Sequence, residues 1–129
     1  MLRGNWVPVM RLRFDAPDDY SLRFVRLGGR GIRGMASVST GFVLLAGPMA
    51  DGPGSYQIYH WDGKDTVPGS DRAHAEMGRV DLLGEVAHPE DGKAEGIVVL
   101  DESASGYELL LVFDGVERGI ARRYEVAKP

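Results

Sequence analysis

The chain contains no cysteine in its 129 residues, which excludes a disulfide framework and any thiolate zinc site. It also lacks an excess of positive charge. Fifteen Lys and Arg stand against 19 Asp and Glu, a net charge of −4, so there is no general attraction to nucleic acid or to an anionic membrane. No apolar run approaches the ~20 residues needed to span a bilayer. The opening stretch MLRGNWVPVMRLRF has no uninterrupted apolar segment, so no secretory signal is read there, and a soluble cytoplasmic protein is the default expectation. Helical periodicity is scarce as well. The one helical candidate is SDRAHAEMG, residues 70–78, with Ser70 as N-cap and Gly78 as stop; it is short and has no broad apolar face.

What is present is apolar content of 43%, 18 glycines and a set of short runs rich in Val, Leu, Phe and Tyr, each bounded by Gly, Pro or Asp. A globular chain of this length buries roughly two thirds of its unfolded surface, enough for a core without staples. The runs read as strands, placed at residues 8–14, 21–27, 33–39, 42–46, 56–61, 80–86, 96–100, 108–113 and 122–127. Met10, Leu12 and Phe14 alternate with Arg11 and Arg13, so one face of the first strand is wet. Tyr56, Ile58 and His60 fall on one face of the fifth, and Gln57, Tyr59 and Trp61 on the other. FVLLA and ELLLVF are nearly continuous, as expected of central strands buried on both sides.

A repeat runs through these strands. RGMASV from Arg33 aligns with EGIVVL from Glu95, 62 residues on, and GFVLLA from Gly41 aligns with GYELLL from Gly106, 65 residues on. Tyr59 and Tyr124 keep the second offset. Each copy reads as strand, turn, buried strand, loop, outer strand, a period that suggests propeller blades or a duplicated sandwich.

The segments GIRGMA, VLLAGPMADGP, YQIYHWDG, KAEGIVVL and LLLVFDG, with LRGNWVPVMRLRF before them, resemble the bacterial domain-of-unknown-function family 3616 over nearly the whole chain. The resemblance implies propeller-type blades of four strands and no established biochemical activity, and it carries no functional residues over. It places the chain as a C-terminal portion of such a protein. The expected fold is therefore all-β and antiparallel, in propeller-type blade repeats that form an incomplete propeller; a compact β-barrel or sandwich is the alternative. One domain, 1–129, divides into a strand pair (1–29), a full blade motif (30–88) and a partial second repeat (89–129). Nine strands cannot close a propeller, so the expectation is a fragment refolded as a barrel or sandwich, a homo-oligomer completing a ring, or a marginal truncation.

Four residues are candidate ligand contacts: Arg33, Asp51, Glu95 and Asp114. Arg33 and Glu95 hold equivalent places in the two repeat copies, each just before a glycine. If the copies sit side by side they meet as a charge-assisted pair or a shared polar cluster. Asp51 lies in the loop GPMADGPG, where two prolines fix φ and three glycines permit reversals, so the loop is shaped and serves equally as an ordinary wide turn. Asp51, Asp91, Glu95, Asp101 and Asp114 stand at turns or strand ends, where carboxylates from several loops hold calcium in some proteins; no other cofactor is indicated. His60, His74 and His88 lack metal-type spacing, and no serine sits in a GxSxG elbow. No catalytic residue is assigned. The tyrosines and tryptophans recur at similar blade positions and read as packing. The expected function is a non-catalytic binding or interaction module for a small polar ligand or a protein partner, with a calcium-assisted phosphoesterase-like hydrolase as the competing reading.

Overall fold

The computed structural model describes residues 6–12, 20–49, 55–64, 66, 78–86, 92–115 and 119–129. Nine strands lie in them: β1 (Trp6–Leu12), β2 (Tyr20–Arg26), β3 (Gly31–Val38), β4 (Gly41–Gly47), β5 (Tyr56–Trp61), β6 (Val80–Val86), β7 (Lys93–Glu102), β8 (Gly106–Asp114) and β9 (Ile120–Ala127). Every expected strand is present, and β5 and β6 keep their expected ends. The helical candidate at 70–78 lies outside the described residues except for Gly78.

The strands form three open antiparallel sheets, β1-β2, β3-β4-β5-β6 and β7-β8-β9. Each neighbour in a sheet is the next strand in the chain; the tight β3–β4 and β7–β8 turns leave an antiparallel hairpin as their only local solution, while β5 and β6 pair across the longer segment 62–79. Among the described residues no sheet closes on itself, so the barrel alternative does not hold. The sheets stack face to face with the four-stranded one in the middle.

Strand alternation explains the stack. Along β4 and β5, one parity (Val43, Leu45, Tyr56, Ile58) packs against Ile97, Tyr107, Leu109, Leu111 and Phe113 of the third sheet. The other parity (Leu44, Ala46, Tyr59, Trp61) packs with Val25, Leu27 and the partly buried Val7 and Val9 of the first. β4 and β5 are buried along nearly their whole length, and each such Leu or Ile contributes about 1.5–3 kcal/mol by leaving water. The two faces assigned to β5 are the two that the cores use.

β8 differs from its expectation. Its apolar run is as continuous as that of β4, yet only Tyr107, Leu109, Leu111 and Phe113 are buried, while Val112 is 43% exposed. The reason is positional: the third sheet has a neighbour on one face among the described residues, and the middle sheet has two.

Local geometry holds the turns. Gly41 closes the β3–β4 hairpin with φ near 135°, and a Cβ there would sit 2.2 Å from the Trp61 carbonyl oxygen. Thr66 fastens the first sheet by donating its N–H (3.0 Å) and hydroxyl (2.7 Å) to the Phe24 carbonyl.

Candidate functional site

β3 and β7, the first strands of their sheets, lie against one another. Gly34 permits the approach: a Cβ built on it would stand 3.1 Å from Ile97 Cγ2 and 3.2 Å from the Ile97 nitrogen. A register shift follows Ile32 in β3 and Ala94 in β7, so the same irregularity recurs beside both Arg33 and Glu95. The crossing brings these two side chains together, with Arg33 Nη1 3.9 Å from Glu95 Oε1. Arg33 Nη2 also donates to the Pro48 carbonyl, which ties the guanidinium to the segment leaving β4. Both side chains keep contact with solvent, so the ion pair contributes at most about 1 kcal/mol, and the arrangement works as a tether between two sheets.

The other two candidates do not join it. Asp51 lies outside the described residues. Asp114 ends β8 opposite Lys93 in the ladder, and its Oδ1 accepts the Gly115 N–H at 2.7 Å, which is turn chemistry. Among the described residues no group of three or more His, Asp or Glu is arranged to hold a metal ion.

A second polar group forms at the opposite end of β3 and β7. Ser39 in the β3–β4 turn gives Glu102 two hydrogen bonds, from its N–H (3.1 Å) and its hydroxyl (2.5 Å). Lys128 Nζ stands 3.0 Å from the same carboxylate and 5.2 Å from the centre of the Tyr107 ring. The Ser39 and Lys128 bonds hold the Glu102 carboxyl below its ordinary pKa. Behind them His60, only 7% exposed, shares a 3.0 Å hydrogen bond with the Thr40 hydroxyl and stacks parallel to Tyr107, ring centres 6.4 Å apart. The Tyr107 hydroxyl is buried without a hydrogen-bond partner.

Two hollows open at this end. One of about 160 Å³ is lined by His60, Asp62, Arg79, Asp81 and Pro129. Arg79 answers both carboxylates there, its N–H to Asp62 (3.0 Å) and its Nε to Asp81 (2.9 Å). The other, of about 450 Å³, is a shallow trough between the β7–β8 turn and the end of β9.

A third network is internal. Tyr59 donates its hydroxyl to Gln57 Oε1 (2.5 Å), and Gln57 Nε2 donates to Glu85 (3.1 Å). Burial raises the Tyr59 pKa, with Arg30 opposing and Glu85 adding to the rise. A buried amide and phenol that satisfy one another are structural first.

The broadest unexplained feature is a surface. On the face of the third sheet turned away from the core, Val98 (48% exposed), Leu100 (41%) and Val112 (43%) are open. Register places Leu110 beside Val98 and Ala121 beside Val112. The Glu108–Arg123 ion pair, 3.1 Å, borders this strip. Through the repeat, Val98 and Leu100 correspond to Ala36 and Val38, which pack into the core shared with the third sheet.

Of these features, sequence reasoning reached the Arg33–Glu95 meeting through the repeat. It missed the Ser39–Glu102–Lys128 group, although the repeat held the signal: Ser39 and Glu102 occupy the β3–β4 and β7–β8 turn regions of successive copies. The open strip was missed because Val112 lies in ELLLVF, which reads as buried on both sides, and nothing in the sequence assigns a face to Val98 and Leu100.

The sequence model of a family described as "Protein of unknown function (DUF3616)" matches residues 9–126. No curated protein and no solved structure matches the chain. Among the described residues no helix is long and apolar enough to cross a membrane.

Proposed function

The chain belongs to the DUF3616 family, and we propose that it acts as a non-catalytic interaction module whose contact surface is the outer face of the β7-β8-β9 sheet. The observation that carries this reading is the exposure of Val98, Leu100 and Val112 on one strip, at positions whose repeat equivalents in the middle sheet are covered: Ala36 and Val38 partly buried against the core shared with the third sheet, and Gly47 buried. Contiguous apolar surface with a polar border is the ordinary character of a protein contact site. The charged groups of the polar clusters, by contrast, are matched within the chain: Arg33 with Glu95 and Pro48, Glu102 with Ser39 and Lys128, Asp62 and Asp81 with Arg79.

The absence of cysteine makes the test direct. Val112→Cys introduces a single thiol, and its rate of alkylation in the folded, dilute chain reports whether the strip is open. The expected rate is close to that of the same variant unfolded in denaturant. Strong protection in the folded chain would mean that the face is already covered, and the reading fails. A thermal-shift titration with calcium addresses the competing hydrolase reading: a rise in Tm with millimolar calcium, reversed by EDTA, would favour it.

A further inference from the structure

We propose that the occupant of this face is the β1-β2 sheet of a second copy of the chain, docked head to tail; the inference rests on reading that face as a contact surface. Three observations lead there. The first is the order of the stack. The middle sheet offers one parity (Leu44, Ala46, Tyr59, Trp61) to the sheet before it and the other (Val43, Leu45, Tyr56, Ile58) to the sheet after it. In the third sheet Leu109 and Leu111, equivalent to Leu44 and Ala46, likewise meet the sheet before. The open strip is therefore the side on which this chain places its next sheet, and a following copy presents its first sheet there.

The second observation is charge. Residues 1–30 carry six Arg against three Asp, with no Lys or Glu. Residues 89–129 carry nine carboxylates against five Lys and Arg. Opposite excesses on the two ends favour head-to-tail association and disfavour pairing of like ends. Within the first sheet, Val7 and Val9 pack inward, and the register pairs Pro8–Phe24 and Met10–Leu22 alternate with them along the ladder.

The third is a glycine. Gly34 admits the close approach of Ile97 from the following sheet. Its repeat equivalent, Gly96, has only the Val112 Cβ near its own Cβ position, at 3.8 Å. Gly96 itself belongs to the first crossing, its carbonyl carbon 3.4 Å from the Cβ position of Gly34, and on its own Cβ side nothing among the described residues comes closer than Val112, where a further sheet would cross.

A head-to-tail contact uses two different surfaces, so it grows into rings or open chains and does not stop at a dimer. The test labels Val112→Cys with an environment-sensitive dye and titrates in unlabelled chain, alongside light scattering over a concentration series. The expected results are a saturable blue shift and a mass that rises beyond that of a dimer. Both should weaken in about 1 M salt, where charges are screened within about 3 Å. Gly96→Ala and Val98→Asp in the unlabelled chain's partner are expected to weaken association at least tenfold while each variant keeps its monomer Tm. A monomer mass at every concentration with the thiol still open overturns the second-copy inference and leaves the contact-surface reading standing. Association unchanged by Val98→Asp overturns it as well. A protected thiol in the dilute monomer removes both.

Discussion

The middle and third sheets carry the two aligned sequence copies, RGMASV with GFVLLA and EGIVVL with GYELLL, and among the described residues they differ in how many sheets they neighbour. Leu44 and Leu109 are equivalent, and both are fully buried, each against the preceding sheet. Leu45 and Leu110 are equivalent too, yet Leu45 is fully buried and Leu110 only partly. Gly47 tucks beneath the Tyr56 ring, where a Cβ would come within 2.6 Å. At the corresponding positions the third sheet has Val112 opposite Ala121: the large residue stands on the strand after the glycine in the middle sheet and on β8 itself in the third. Covered, the face is filled by one aromatic lying over a glycine. Uncovered, it is a flatter ridge of Val and Leu. The difference teaches that apolar content along these strands does not report burial; adjacency to another sheet does.

The largest effect expected from this contrast is on leucine truncation. Leu45→Ala empties a site packed on all sides and should cost about 2–5 kcal/mol. Leu110→Ala removes atoms that already touch water and should cost under about 1.5 kcal/mol. Leu44→Ala and Leu109→Ala serve as controls and should cost alike. Chemical denaturation of dilute protein measures all four. Equal losses at positions 45 and 110 would break the comparison.

Next comes the glycine pair. Gly34→Ala forces its Cβ against the Ile97 side chain and backbone, an overpacking that costs about 1–3 kcal/mol. Gly96→Ala meets ordinary van der Waals distance and relieves the entropic cost of glycine in a strand, so its effect stays within about 0.5 kcal/mol of zero. The same denaturation curves decide it, and a destabilised Gly96→Ala monomer would mean that the two crossings are alike.

A third contrast lies at the equivalent aromatic positions. Phe42, partly buried, stacks with Trp61, ring centres 5.4 Å apart; its equivalent, Tyr107, is buried and carries a hydroxyl with no partner. Tyr107→Phe should leave stability unchanged or raise it by about 1 kcal/mol, since it deletes an unsatisfied group and keeps the ring. A loss of more than about 1 kcal/mol would reveal a bond to that hydroxyl.

Much of this architecture was legible beforehand. Nine short β-branched and aromatic runs between glycines gave nine strands, and the alternation in YQIYHW gave both faces of β5. The 62-residue offset brought Arg33 to Glu95 before any contact was known. Other features were not legible. FVLLA and ELLLV carry the same pattern, and only the stacking order distinguishes a strand covered twice from one covered once. Asp51 and Asp114 looked like ligand contacts because acidic turn residues and binding carboxylates share a local sequence. For Asp114 the Gly115 N–H accounts for the carboxylate, and Asp51 lies outside the described residues. Ser39 and Glu102 escaped notice because neither has a local motif; two hairpin ends meet only when the sheets stack.

The smallest expected effect concerns that meeting, the polar counterpart of the apolar contrast between the two sheets. Hydrogen bonds from Ser39 and then Lys128 lower the pKa of Glu102 in the folded state. A carboxyl with a depressed folded pKa favours folding when it is ionised. Its contribution is present above the unfolded value and is lost as pH falls through the folded one. Glu102→Gln should therefore lower Tm slightly near neutral pH, with the gap to the parent chain closing as the pH drops through the acid range. Ser39→Ala should reproduce most of the neutral-pH loss, because it removes the first of the two donors. A gap that persists unchanged to the lowest pH would assign the role of Glu102 to packing between the hairpin ends, with its charge irrelevant to holding the middle and third sheets together.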